Sequence, residues 1–163
     1  MSDPSATPEG HLRTLTVAPR DDTSLAGLSG RPSVPSVSAR TRIDVGARGE
    51  QLATDHLERA GYAIVERNAR CGRIGELDIV AIDGRCTVFC EVKTRVAGTR
   101  AGPDGPLDAI GPLKRHRLRQ LAGAWLHTRP RTGRTDAVRF DAIGITLDRQ
   151  GVMVALDHVE NAF

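Results

Sequence analysis

The chain has 163 residues, 39% hydrophobic and 26% charged, which fits one soluble globular domain and excludes a collagen-like chain, a disulfide scaffold and a membrane protein. The net charge is +3, compatible with a polyanionic partner. Of 23 basic residues only two are lysine, Lys93 and Lys114, and aromatics are 3%, so the core must be aliphatic and a base-stacking aromatic platform is disfavoured.

Three cysteines, Cys71, Cys86 and Cys90, show no C-x-x-C spacing, and the five histidines are scattered. Neither a disulfide framework nor a thiolate–imidazole zinc site is expected, and the usage suits a reducing cytosol. No apolar run reaches membrane-spanning length, and the N-terminus carries no signal-peptide core. A cytoplasmic protein with no membrane partner is the expectation.

In chain order, residues 1–40 hold five of the nine prolines and no sustained periodicity, and read as a disordered tail. Residues 41–163 form the domain. A helix is expected from about Asp44 to Ala60, ended by Gly61, with Ala53, Leu57 and Ala60 on its apolar stripe and Glu50 on that same stripe. Three strands follow: Tyr62–Arg67 ending near Asn68, Gly75–Ile82, and Cys86–Arg95. Asp83-Gly84 marks a hairpin, and a two-residue loop of Asp83 and Gly84 would set Asp78 opposite Phe89, a diagonal step from Glu91. Residues 97–112 are a Gly/Pro-rich loop, and a helix runs from about Leu113 to Thr128 with Leu118, Leu121, Ala122 and Trp125 as its stripe. Its first half, Lys114-Arg-His-Arg-Leu-Arg119, is strongly basic. After a loop at 129–135, strands near Ala137–Leu147 and Val152–His158 close the chain. The order α-β-β-β-α-β-β gives an α/β fold, a mixed β-sheet flanked by helices.

Four polar groups fall where a sheet core should be apolar. Asp78 interrupts Glu-Leu-Asp-Ile-Val, Glu91 and Lys93 interrupt Phe-Cys-Glu-Val-Lys, and Glu50 sits on a buried helical face. Burying a lone ion costs several kcal/mol, so their concentration suggests a shared partner. Glu91 and Lys93, two apart, project from one strand face. Two close carboxylates repel unless protonated or bridged by a cation, and oxygen ligands suit Mg²⁺ or Mn²⁺. A lysine beside such a cation offsets charge on a phosphorane-like transition state. A structural ion-pair network in a strand pair is the plain alternative.

Gly49-Glu50-x-x-Ala53, Arg67-Asn68-x-Arg70, Gly75-Glu-Leu-Asp78, Phe89-Cys-Glu91-Val-Lys93-x-Arg95, the Lys114 helix, Arg139-Phe-Asp141 and Glu160-Asn-Ala-Phe163 together resemble the YraN-like bacterial family of the restriction-endonuclease-like superfamily. The resemblance covers about residues 43–163. It implies a PD-(D/E)-x-K nuclease core, in which Asp78 and Glu91 match metal ligands, Lys93 the catalytic lysine, and Glu50 the helical acid of resolvase-like members. Leu77 stands where that pattern often has proline. The implied activity is that of a Mg²⁺- or Mn²⁺-dependent endonuclease acting on DNA, at branched or repair intermediates. Arg70, Arg95, Lys114, Arg115 and Arg117 are expected to meet backbone phosphate. The resemblance also allows a homodimer, since many nucleases of this fold act as dimers. The rival reading is a non-catalytic nucleic-acid-binding module in DNA processing; a protein–protein adaptor is more distant.

Overall fold

The computed structural model describes residues 42–98, 110–128 and 136–163, with side chains from Asp44 onward. The expected N-terminal tail, most of the Gly/Pro-rich loop and residues 129–135 lie outside the described residues. The elements are α1 (Arg42–Arg59), β1 (Ala63–Cys71), β2 (Gly75–Asp83), β3 (Cys86–Val96), α2 (Pro112–Thr128), β4 (Ala137–Leu147) and β5 (Met153–Val159). The five strands form one sheet in sequence order, antiparallel throughout except for the parallel β3–β4 pair. A parallel neighbour needs a long crossover, and the segment that contains α2 supplies it. This is the expected mixed sheet with helices.

Strand alternation sorts the core into two layers. Ala53 and Leu57 of α1 pack with Ile79, Ala81, Val88, Cys90, Ile143, Ile145 and Leu156. Leu118, Leu121 and Ala122 of α2 pack with Val80, Phe89, Leu77 and Ala69. Each buried Leu or Ile contributes roughly 1.5–3 kcal/mol relative to exposure. Four of the five aromatic residues, Phe89, Trp125, Phe140 and Phe163, gather on the α2 side as edge-on and stacked pairs 5.6–5.8 Å apart. Phe89 is buried and the other three pack against its layer, so the core is not purely aliphatic, as the low aromatic content suggested it would be.

Three expectations need correction. Ala60 is exposed, because the helix ends at Arg59 and Gly61 turns the chain at φ +93°. The first strand does not end near Asn68 but runs on to Cys71; Asn68 takes φ +50°, which asparagine tolerates, so a kink replaces an end. The hairpin loop is Gly84-Arg85, with Asp83 paired to Cys86 and Val80 to Phe89. Gly84, at φ +57°, occupies the first loop position. Asp78 therefore lies level with Glu91, not Phe89, one residue past the last ladder pair, Ile79↔Cys90.

Asp78 marks a turning point in the sheet. Leu77 and Ile79, two apart, should share a face, yet they belong to opposite core layers. Asn68, between the pairs Arg67↔Ile79 and Ala69↔Leu77, lies opposite Asp78 on the neighbouring strand. The kink thus crosses β1 and β2 at one level and lets β2 part from β3.

Candidate functional site

The parting strands open a cleft of about 530 Å³, lined by Glu50, Arg70, Gly72, Arg73, Gly75, Glu76, Asp78, Glu91, Val92, Lys93, Lys114 and Arg117. Asp78, Glu91, Lys93 and Glu50, chosen from sequence as the chemistry-bearing set, all face it. So do Arg70, Lys114 and Arg117. Arg95 and Arg115 are not brought there. Arg95 donates to Thr146 Oγ1 at 3.1 Å; Arg115 donates to the Ile110 carbonyl at 3.0 Å and lies over the Phe163 ring at 5.7 Å.

Just past the end of the β2–β3 ladder, the Val92 N–H donates to Asp78 Oδ2 at 2.8 Å. The side chain thus takes a backbone hydrogen as the two strands diverge. Burial, and after it the charge of Glu91, pushes the Asp78 carboxyl up to about 6, while the Val92 N–H, Lys93 and Lys114 pull the other way. Glu91 is 1% exposed. Its Oε1 takes Lys93 Nζ at 2.5 Å and Lys114 Nζ at 3.0 Å. Its Oε2 is buried with no hydrogen-bond partner among the described residues. A bare buried carboxylate oxygen is costly, and a cation or water is its ordinary remedy.

Glu50 stands apart from this pair. Its Oε2 accepts from Asn68 Nδ2 at 3.0 Å, and Gln51 beside it accepts from Arg67 at 2.8 Å, so α1 is tied to β1 at the kink. Against its other neighbour, β3, α1 comes so close at Gly49 that a Cβ there would sit 1.7 Å from Thr94 Oγ1. Among the described residues no three His, Cys, Asp or Glu side chains are grouped as a metal set. The donors nevertheless fit a hard divalent cation, because Mg²⁺ is commonly held by one or two carboxylates and otherwise keeps its waters. Asp78 and Glu91 offer two such carboxylates, and Oε2 of Glu91 is buried and unpartnered among the described residues.

The basic wall comes from both sides. Arg117 donates through Nε and Nη2 to the Ile74 carbonyl at 3.2 and 2.6 Å, which anchors α2 to the β1–β2 turn. A Cβ on Gly75 would meet Arg117 Nη2 at 2.7 Å, and Gly75 has φ +144°. Sequence reading placed Lys114 on a phosphate-facing helix and missed its contact with Glu91, because residues 23 apart on a strand and a later helix carry no local periodicity that would join them. Asn68 as the partner of Glu50 was also missed.

A second polar cluster lies apart from the cleft. Asp141, fully buried, accepts from Arg139 Nε (2.9 Å) and Nη2 (3.0 Å) and from the Asn161 N–H (3.0 Å), and pairs with His158 Nε2 at 3.1 Å. His158 Nδ1 lies 3.3 Å from His56 Nε2, and Arg139 also reaches Tyr62 and Asp83. Burial alone would raise the Asp141 carboxyl, but its hydrogen bonds from His158, Arg139 and the Asn161 N–H hold it below the ordinary range. The sequence hint was Arg139 two before Asp141 on one strand face. Asp141 is a buried hydrogen-bonding acid bound to β5, and the cluster fastens the C-terminal segment. Among the described residues no helix is long and apolar enough to cross a membrane.

Residues 49–145 match the uncharacterised protein family UPF0102. All the quoted sequence blocks except the terminal Glu160–Phe163 fall in that span. A UPF0102 protein of Mycolicibacterium vanbaalenii is 47% identical over 112 residues, 69% of this chain and 88% of that protein. One from Streptomyces griseus is 48% identical over 112 residues, 68% and 88% of the two chains. One from Acidothermus cellulolyticus is 45% identical over 134 residues, 77% and 98%.

Proposed function

This chain belongs to the UPF0102 family, and for it we propose a nuclease-like activity: Mg²⁺- or Mn²⁺-dependent hydrolysis of phosphodiester bonds in DNA, on a restriction-endonuclease-like fold in the cytoplasm. The observation that carries the reading is the Asp78–Glu91 pair at the point where β2 leaves β3, with one buried Glu91 oxygen unpartnered among the described residues and Lys93 on the other. Lys93 and Lys114 both bond the other oxygen, Oε1, so the ion pairs of the described residues leave Oε2 unsatisfied.

Asp78 and Glu91 would hold the cation, and Glu50 lines the same cleft from α1. A bound divalent ion supplies a water of lowered pKa and neutralises charge on the phosphoryl oxygens. The chain's own groups do the rest. Lys93 keeps its ammonium at the carboxylate pair, placed to donate to a phosphate oxygen as negative charge grows. Arg70 of β1 and Arg117 of α2 line the cleft as phosphate contacts, which would position the strand without reading its sequence. Among the described residues no aromatic side chain lines the cleft, so backbone rather than base is what it would recognise.

Purified protein with Mg²⁺ or Mn²⁺ is expected to nick or cleave at least one of duplex, single-stranded and branched DNA, and Asp78→Ala and Lys93→Ala each to abolish it. Undiminished cleavage by both variants would mean a contaminating nuclease. Salt-sensitive binding with no turnover under any metal would instead establish the non-catalytic DNA-binding module. A homodimer, if it forms, would appear as a doubled mass in sedimentation.

A further inference from the structure

We propose that Lys114 is an exchangeable cation: it neutralises Glu91 while no metal is bound and moves to a backbone phosphate when a divalent ion enters, so that metal and nucleic acid bind cooperatively. The inference rests on the metal-site reading above and goes beyond it, since it assigns an order and a coupling to the two ligands.

The geometry begins with two ammonium groups on one oxygen. Lys93 and Lys114 both bond Glu91 Oε1, at 2.5 and 3.0 Å. They are not equivalent. Lys93 is two residues from Glu91 on the same strand, and its position is set by the sheet. Lys114 arrives from the first turns of α2, whose helix packs on the Phe89 face of the sheet; the two side chains are alike in exposure, about a third each. Of the two, Lys114 is the one not carried by the strand of Glu91, and it shares α2 with Arg117 of the basic wall.

The charge balance supplies the second argument. Four carboxylates line the cleft against five basic side chains, so it carries one net positive charge with no metal present. A divalent ion would raise that to three in a partly buried space. Like charges at contact distance repel strongly where water is scarce. The ion is therefore favoured only if a cation leaves Glu91 or a polyanion arrives, and one movement of Lys114 from carboxylate to phosphate meets both needs. Thermodynamic linkage makes the effect mutual: whatever factor DNA gives to metal affinity, metal gives to DNA affinity.

The test measures binding of Mn²⁺ to the full chain by calorimetry, alone and with a short single-stranded oligonucleotide at a temperature that suppresses turnover. Wild-type protein is expected to bind Mn²⁺ about tenfold more tightly with the oligonucleotide than without. Lys114→Met is expected to bind Mn²⁺ alone several-fold more tightly than wild type and to lose most of the enhancement. Lys114→Arg, which keeps the charge, should retain weak binding in the absence of DNA, and its circular dichroism and that of Lys114→Met check the fold. Asp78→Ala serves as the separating control. If Asp78→Ala abolishes Mn²⁺ binding but Lys114→Met matches wild type in affinity and coupling, the exchange is overturned and the metal site stands. If wild type binds no Mn²⁺ with or without oligonucleotide, the metal-site reading falls, and this inference with it.

Discussion

Asp78 occupies a position that costs the fold stability when its carboxyl is ionised. Its carboxyl is pushed from 3.8 to about 6, so the folded chain holds a proton there across a range in which the unfolded chain has released it. The stabilisation from that retained proton is complete below about 4 and is lost as pH rises to about 6. Asp78→Asn keeps an acceptor for the Val92 N–H and removes the buried charge. Metal-free Asp78→Asn should therefore be more stable than wild type at pH 7, by on the order of 2 kcal/mol, with the gap closing near pH 4. Thermal or urea unfolding at the two pH values checks this, and excess Mg²⁺ should shrink the difference by stabilising wild type alone. His56 works in the opposite direction. Burial first, then the charges of His158 and Arg59, lower its pKa below 6.5, so the unfolded chain takes up a proton the folded one refuses. Its contribution is intact above about 6.5 and falls as pH drops below that value. His56→Asn should flatten the acid side of the stability profile.

At the scale of elements, the closest approach in the fold is α1 against β3 at Gly49. A methyl group there would overlap Thr94 Oγ1 and crowd Thr94 Cβ, at 1.7 and 2.8 Å. Gly49→Ala is expected to destabilise by about 1–3 kcal/mol, the usual range for overpacking, despite its better helix propensity. It should also shift Glu50 off Asn68, and Thr94→Gly in the same chain should restore part of the stability. Much of this layer was legible beforehand. The helix stripe of Ala53 and Leu57, the span Ala137–Leu147 and the Asp-Gly turn all follow from local periodicity and turn chemistry. The site was legible as residue types: an acid amid Leu and Ile, and Glu-x-Lys on one strand face. Its assembly was not, because the hairpin register shifted by one loop position, the Asn68 kink turned two strands over together, and Lys114 reaches Glu91 across a crossover. Each depends on contacts between elements that no window of sequence contains.

At the scale of the whole molecule, charge decides how the chain meets a polyanion. DNA affinity should fall steeply with salt, because each phosphate neutralised releases counterions. Arg70 and Arg117 line the cleft, so Arg70→Ala and Arg117→Ala should each lower the log–log salt slope by about one, while Arg115→Ala, at a position outside the cleft, should leave it unchanged. Fluorescence anisotropy over a salt series distinguishes the three. An equal drop for Arg115 and Arg117 with none for Arg70 would mean that the basic helix, rather than the cleft wall, carries the contact.

The parallel β3–β4 pair has a consequence in time. The two carboxylates belong to neighbouring strands of one hairpin, only 13 positions apart, whereas Cys86 pairs with Ala137 across 51 positions and the strand between must wait for α2 to cross. Short-range hairpins close long before such distant pairings form. During refolding Asp78 and Glu91 are thus expected to come together while the α2 ammonium of Lys114 is still absent. At that stage Lys93 alone offsets the two acids, and divalent ions in the refolding buffer should speed the later steps of assembly.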